Sequence, residues 1–401
     1  MTAASPRRVL IELALLFLRL GFTAFGGPAA HIAMLEEAAV RKHQWVTHEE
    51  FLDLLGAANL IPGPNSTELA IHLGYRRAGW PGLVVAGVCF IAPAMGIVLA
   101  LAWVYTRYGA LPEIAQLLVG VKPVIVAVIA QALWNLARTA VKSRWLLLLA
   151  VLSLVASLAG VHELLVLAAA GLLALVAQRV RTQLDRRVPP AASALLPLSL
   201  SPSPSPSLPG SPSLPLALSG AAGASAIAAA PGLLPIFLFF LKVGSVLFGS
   251  GYVLLAFLRA DLVVRWHWLT DRQLLDAIAV GQITPGPVFT TATFIGYLLH
   301  GASGGLTATL GIFLPAFVFV ALSAPLLPRL RRSPTAAALL DGVNVASLAL
   351  MAGVTWFLAR SAIASWPTLA LALASLVLLI RFRVSSVWLL LAGALLGLVL
   401  P

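Results

Sequence analysis

Two Pro-Gly-Pro triplets, Pro62-Gly63-Pro64 and Pro285-Gly286-Pro287, precede the residues best suited to binding chemistry. The prolines remove backbone donors and end the preceding helix, whereas the glycine permits a sharp change of direction. A helix that begins after the second proline leaves its first N–H groups unpaired at the positive end of the helix dipole, which suits an anion. The alternative is a simple kink, but recurrence in two copies favours a site. The candidate anion-binding residues are Gly63, Asn65, Ser66, Thr67, Gly286, Thr290 and Thr291.

Two glycine-rich stretches, G21-F-T-A-F-G-G-P and G244-S-V-L-F-G-S-G, indicate a second pair of broken helices. Each follows an apolar segment that carries a cation two residues before its first glycine. The alternative is close helix packing through small residues. In the binding hypothesis, four helix breaks surround one central site. It adds Gly26, Gly27, Gly249 and Ser250, with charge from Arg19, Lys122 or Lys242.

Three carboxylates in membrane-like segments are candidates for proton coupling: Asp53, Asp276 and Glu68. Ionisable groups within a membrane are functional candidates by default. Thr47 and Thr270 look like helix N-caps, which puts Asp53 and Asp276 less than two turns into their helices. Structural and functional roles therefore both stay open for these two. Glu68 has no acidic counterpart, and it either complements the first helical turn or carries a proton.

The composition is that of a polytopic, all-α membrane protein. Of the 401 residues, 60% are hydrophobic and only 10% are charged, against about 25% charged in soluble proteins. The net charge of +12 comes mainly from basic residues at the ends of apolar runs, which indicates anchoring and topology rather than nucleic-acid binding, with attraction of an anion as a compatible second role. A single cysteine and scattered histidines predict no disulfide and no metal site, and no catalytic or nucleotide-binding motif predicts an enzyme or a cofactor.

The chain contains an internal repeat. Phe17-Leu-Arg-Leu-Gly21 matches Phe240-Leu-Lys-Val-Gly244, and the offset of 223 residues holds to the Pro-Gly-Pro triplets before it becomes 222. The predicted division is a first repeat at 1–180, a disordered Ser/Pro-rich linker at 181–230 and a second repeat at 231–401. Repeated halves with broken helices are typical of secondary transporters, whose sites lie between the halves. The relative orientation of the halves stays open, and the run 146–177 could form one helix or two.

The motifs G21-F-T-A-F-G-G-P, L60-I-P-G-P, G74-Y-R-R-A-G-W and G281-Q-I-T-P-G-P-V-F-T-T-A-T-F-I-G-Y resemble the chromate transporter family in its long two-domain form. The resemblance implies chromate efflux across a bacterial inner membrane, chromate resistance, no cofactor, and halves that arose by duplication, with an inverted arrangement as one option. A sulfate or other oxyanion importer or exchanger is the alternative, and a membrane-embedded enzyme or scaffold is a remote one. The expected partners are chromate, sulfate as the alternative substrate, and the lipid bilayer, whereas the oligomeric state, including a homodimer, stays open.

Overall fold

The computed structural model describes residues 5–25, 27–109, 111–187, 231–247, 253–324 and 334–398. These residues form helices and short connections without any β-strand, which confirms the all-α prediction. Most of the predicted linker lies outside the described residues, as do Gly26, Gly249 and Ser250.

Within the described residues, the first half contains seven α-helices. A π-helical turn, Glu37–Lys42, extends the second of them. The helices are α1 (Pro6–Thr23), α2 (Gly27–Glu36), α3 (His48–Ala58), α4 (Asn65–Tyr108), α5 (Pro112–Ala140), α6 (Arg144–Leu158) and α7 (Glu163–Arg187). The apolar run 146–177 thus forms two helices, and α7 continues to Arg187.

The second half repeats this order. A π-helical segment, Leu258–Arg265, again extends the short second helix, and a 3-10 turn, Val288–Thr290, precedes the long one. The helices are α8 (Leu233–Val246), α9 (Leu254–Phe257), α10 (Asp271–Ile283), α11 (Thr291–Ser323), α12 (Pro334–Ala362), α13 (Trp366–Arg381) and α14 (Ser386–Gly397). The predicted N-caps are confirmed, because Thr47 and Thr270 each form a capping box with the third residue of α3 and α10.

The long helices α4 and α11 are each bent back on themselves. Ala78 and Gly79 leave the helical conformation in α4, and His300 and Gly301 do so at the equivalent point of α11. The two arms of α4 pack so closely that a Cβ on Gly74 would overlap the Gly82 carbonyl oxygen. The first arm therefore returns alongside the second instead of extending it.

Each Pro-Gly-Pro turn joins a short helix to the first arm of a bent one. Helix α3 has 11 residues and at about 1.5 Å per residue is roughly 16 Å long. A bilayer core is about 30 Å thick, so a helix of this length reaches about half way. If α3 starts at the membrane surface, its length would place the Pro-Gly-Pro turn near the midplane, the depth at which binding sites of repeat transporters are found.

The two halves are inverted relative to each other. Gly87 in the second arm of α4 lies against Phe317 of α11, while Leu99, further along α4, lies against the earlier residue Gly305. The two arms are thus antiparallel. Helices α4 and α11 are equivalent copies, so the pseudo-twofold rotation that relates the halves exchanges them. Because this rotation reverses the direction of the helices, the rotation axis is perpendicular to them.

Helices of each half also pack against helices of the other half. Helix α5 packs against α13 and α14 of the second half, and α12 packs against α6 and α7 of the first. At one such contact, a Cβ on Gly120 of α5 would overlap the backbone of Gly393 in α14. Among the described helices, five are long and apolar enough to cross a membrane, with α4 and the bent helix beginning at Val288 each counted once.

Candidate functional site: the meeting point of the broken helices

The Pro-Gly-Pro turn of each half bonds to the broken helix end of the other. The Gly63 N–H donates to the Leu247 carbonyl at 2.6 Å, and the Gly286 N–H donates to the Ala24 carbonyl at 2.9 Å. Ala24 and Leu247 are equivalent positions of the repeat, since Ala24 directly follows the end of α1 and Leu247 directly follows the end of α8. The structure therefore brings the two turns and two helix ends together around the pseudo-twofold axis.

Glycine is required at both turns for conformational reasons. Gly63 has a φ of 142° and Gly286 a φ of 92°, a region that side chains with a Cβ rarely adopt. The surroundings are equally restrictive, because a Cβ on Gly63 would overlap the Glu68 carboxylate and one on Gly286 would approach the Ala94 methyl group to 2.8 Å.

A small cavity lies between the two turns. Its volume is about 20 Å³, enough for about one water molecule. A cavity of this size does not admit a tetrahedral oxyanion. The cavity is lined by Pro28, His31, Pro64, Asn65, Ser66, Pro287, Val288 and Phe289.

The lining is polar on one side and apolar on the other. The first half contributes Asn65, Ser66 and His31, whereas the second half contributes only Pro287, Val288 and Phe289. Asn65 donates its amide to the Asn59 side chain, which orients it at the start of α4. The site is thus asymmetric although the scaffold is symmetric.

His31 is the residue that the sequence patterns did not single out for this site. Its Nε2 lies 2.9 Å from the Ala24 carbonyl oxygen and its Nδ1 lies 3.2 Å from the Ser66 hydroxyl. A carbonyl can only accept, so Nε2 carries the hydrogen and a neutral ring accepts the Ser66 hydroxyl hydrogen at Nδ1. A protonated ring would donate at both nitrogens and would release the Ser66 hydroxyl to donate to a ligand.

Three of the predicted donors are occupied in this conformation. The Thr67 N–H donates to the Pro64 carbonyl at 2.7 Å. The Thr290 and Thr291 hydroxyls donate to the carbonyls of Pro287 and Val288, each at 2.8 Å. None of these threonines lines the cavity. The Thr67 hydroxyl, by contrast, is buried without a hydrogen-bond partner among the described residues. The donors that line the cavity belong to Asn65 and Ser66, because α4 begins directly after Pro64 whereas a 3-10 turn delays the start of α11.

The predicted cations lie elsewhere. Arg19 is exposed, and Lys242 bonds to Asp261 at 2.6 Å. Lys122 on α5 forms an ion pair of 3.2 Å with Asp276 on α10, whose other oxygen accepts from the Tyr105 hydroxyl at 2.8 Å. In this conformation Lys122 and Lys242 therefore neutralise buried carboxylates, and Lys122 links the halves.

The three candidate carboxylates occupy different surroundings. Asp276 is buried within the ion pair with Lys122. Asp53 lines a larger cavity of about 330 Å³, the vestibule, together with Glu50, Leu54, His72, Tyr75, Arg76 and Ala324. At its mouth, a hydrogen bond from Arg76 lowers the pKa of Glu50. Glu68 is fully buried beside Gly63, one turn of α4 from the vestibule residue His72.

Inverted repeats whose broken helices meet at a central site define a membrane transporter. The sequence matches the model of the chromate transporter family twice, at residues 11–175 and 234–398, and the chain belongs to that family. The two matches coincide with the two structural halves. The protein is accordingly a multi-pass membrane protein.

Three relatives named for chromate transport match over most of the chain. A chromate transport protein of Cupriavidus metallidurans is 35% identical, covering 98% of this chain and 94% of the relative. A probable chromate transport protein of Synechococcus elongatus is 32% identical over 93% of this chain and 90% of its own length. A chromate transport protein of Pseudomonas aeruginosa is also 32% identical, over 86% and 80% respectively. No solved structure matches.

Proposed function

We propose that this protein exports chromate across a bacterial inner membrane by alternating access and thereby confers chromate resistance. The observation that carries the proposal is the reciprocal pair of hydrogen bonds between the Pro-Gly-Pro turns and the opposite helix ends. Relatives named for chromate transport support the substrate. Rocking of one half against the other would open the closed cavity to each side in turn.

The binding site in this proposal lies at the start of α4. The Asn65 and Ser66 N–H groups would donate to the oxyanion together with the Ser66 hydroxyl, which a protonated His31 would release. Val288 and Phe289 would exclude water on the opposite side. A tetrahedral dianion presents acceptors in every direction, so a cluster of donors at a helix N-terminus matches its charge.

The charge of chromate favours export. A membrane potential is worth about 2.3 kcal/mol per charge per 100 mV, so a dianion leaving an inside-negative cell gains roughly 4.6 kcal/mol per 100 mV. Uptake would require about three accompanying protons merely to carry net positive charge inward. Export is therefore the simpler direction for this chain.

Flux from proteoliposomes under a clamped potential tests the proposal. Vesicles loaded with radiolabelled chromate should release it faster as the lumen is made more negative, and external sulfate should compete weakly. Release that is independent of potential would indicate electroneutral exchange, and faster release of sulfate than of chromate would indicate a sulfate transporter. The absence of flux for both anions would favour an enzyme or scaffold and would contradict the proposal.

A further inference from the structure

Two buried ionisable side chains next to the cavity are not explained by anion binding. Glu68 is 0% exposed, and neither of its carboxylate oxygens has a hydrogen-bond partner among the described residues. His72 is 1% exposed, and its Nε2 likewise lacks a partner there. The residues are four apart on one helix, which makes them neighbours on the same face. Buried polar groups are normally satisfied, so this pair requires a function.

The second half has replaced both groups. The residue 223 positions after Glu68 is Thr291, whose hydroxyl is satisfied by the Val288 carbonyl. The residue 222 positions after His72 is Phe294, which packs against the Tyr105 ring. The same fold is thus built without either ionisable group, and the pair is specific to the half that also supplies the polar lining of the cavity.

The pair connects the anion site with the vestibule. At one end, the Glu68 carboxylate lies against Gly63 in the Pro-Gly-Pro turn. At the other end, His72 lines the vestibule, whose outer part is formed by the exposed side chains of Glu50 and Arg76. Groups that can exchange protons therefore line a path from the surface of the protein to the start of α4.

The titratable and charged groups around this line come from three helices. Helix α3 contributes Glu50 and Asp53, and α4 itself contributes Tyr75 and Arg76. On helix α11, the residue that faces the contact between Glu68 and Gly63 is the apolar Ala316. His31 of α2 approaches from the anion site through Ser66.

We propose that Glu68 and His72 carry one proton with each oxyanion. This inference rests on the proposed function and adds its coupling ion. Glu68 and the oxyanion share the positive end of α4, so both cannot be negative there at once, and the carboxyl group takes up a proton when the anion binds. His72 passes that proton from the vestibule to Glu68 while the site is open toward the vestibule, and the proton leaves Glu68 with the oxyanion once the halves have rocked to the opposite side. The dianion and proton together keep a net charge of minus one, so an inside-negative potential still favours export.

A proton fits this pair better than a metal cation. Sodium, calcium and magnesium require several oxygen ligands, whereas the described residues contain no group of three or more His, Cys, Asp or Glu arranged to hold a metal ion. A carboxyl group followed by an imidazole on one helix face is instead the arrangement of a proton relay.

The test follows protons and chromate together. Proteoliposomes contain a pH indicator, the potential is clamped at zero, and the pH is alkaline so that chromate is the dianion. Chromate efflux should make the lumen more alkaline, with about one proton leaving per chromate. Chromate flux without any change of luminal pH would overturn the coupling while leaving the proposed function intact, whereas the absence of chromate flux would contradict the proposed function itself.

Variants then locate the coupling. Glu68→Gln resembles the protonated carboxyl group and should move chromate within about threefold of the unaltered rate while moving no protons. His72→Gln should slow both movements at least tenfold, and adding Glu68→Gln to it should restore chromate flux, because no proton then has to pass. The exposed Glu49→Gln is the matched control and should leave both movements unchanged. Proton movement in Glu68→Gln, loss of chromate flux in folded Glu68→Gln, or failure of the double variant to recover would overturn the assignment.

Discussion

The residues that distinguish the two copies of the repeat are a histidine, a serine and a glutamate in the first half. Ser66 and His31 form a hydrogen-bonded pair at the cavity, and Glu68 lies behind them against Gly63. Their counterparts in the second half include Phe289 and Thr291. A symmetric backbone has therefore been combined with an asymmetric set of side chains around the cavity.

Gly63→Ala should abolish most transport. The new Cβ would meet the Glu68 carboxylate at a φ that only glycine adopts readily, and such strain costs about 1–3 kcal/mol. Chromate flux should fall at least tenfold, with a lower melting temperature in detergent. Gly56→Ala is the control, because that glycine lies within α3 with no atom close to its Cβ position. Unchanged flux in Gly63→Ala would show that the turn is not the site.

Ser66→Ala should weaken chromate binding about tenfold, since a hydrogen bond contributes about 0.5–1.5 kcal/mol and slightly more when the acceptor is charged. Thr290→Val should change the apparent affinity less than twofold, because its hydroxyl is bonded to the Pro287 carbonyl. The apparent KM for chromate in vesicles measures both. Equal losses in the two variants would favour a symmetric site with donors from both halves.

At this scale the sequence predicted only part of the site. The Pro-Gly-Pro turns and the asymmetry after Pro64 could be predicted because proline and glycine determine the local backbone conformation. His31 was not, because its role depends on a carbonyl and a hydroxyl brought together by tertiary structure. The pairing of Lys122 with Asp276 could not be predicted from the sequence either, because the two residues belong to different halves and meet only in the tertiary structure.

Among the elements, α5 and α10 are joined by the most deeply buried ion pair between the halves. Asp276 is 1% exposed and the Lys122 side chain 10% exposed, and Tyr105 of α4 completes the group. Asp53, the equivalent of Asp276, instead lines the vestibule. The repeated aspartates thus predicted equivalent helix positions correctly but not equivalent surroundings.

Asp276→Asn should destabilise the protein strongly. It leaves the Lys122 ammonium buried without a counterion, which costs about 3–5 kcal/mol. The double variant Asp276→Asn with Lys122→Met should recover most of the loss in melting temperature. Asp341→Asn provides the contrast, because its pair with Lys142 has side chains 31% and 61% exposed and such pairs contribute at most about 1 kcal/mol. Similar small shifts in both single variants would contradict a structural role for the buried pair.

For the whole molecule, inversion of the halves is the property that the sequence left open. The distribution of basic residues does not decide the orientation, whereas the antiparallel contacts between α4 and α11 establish the inverted one. Charge patterns report the side on which loops lie only as a bias, and packing between distant helices is not encoded in any local motif. The repeat itself could be recognised because the two copies keep a nearly constant offset between matching residues over long stretches of the chain.

Inversion predicts that equivalent loops lie on opposite sides of the membrane. Lys142 between α5 and α6 and Ala364 between α12 and α13 are equivalent and exposed. Each would be changed to cysteine in a Cys89→Ala background, which removes the only native thiol. A membrane-impermeant maleimide applied to intact spheroplasts should label one variant, and the same reagent applied to inside-out vesicles should label the other. Labelling of both variants from one side would mean parallel halves, and a rocking mechanism about an axis in the membrane plane would then be untenable.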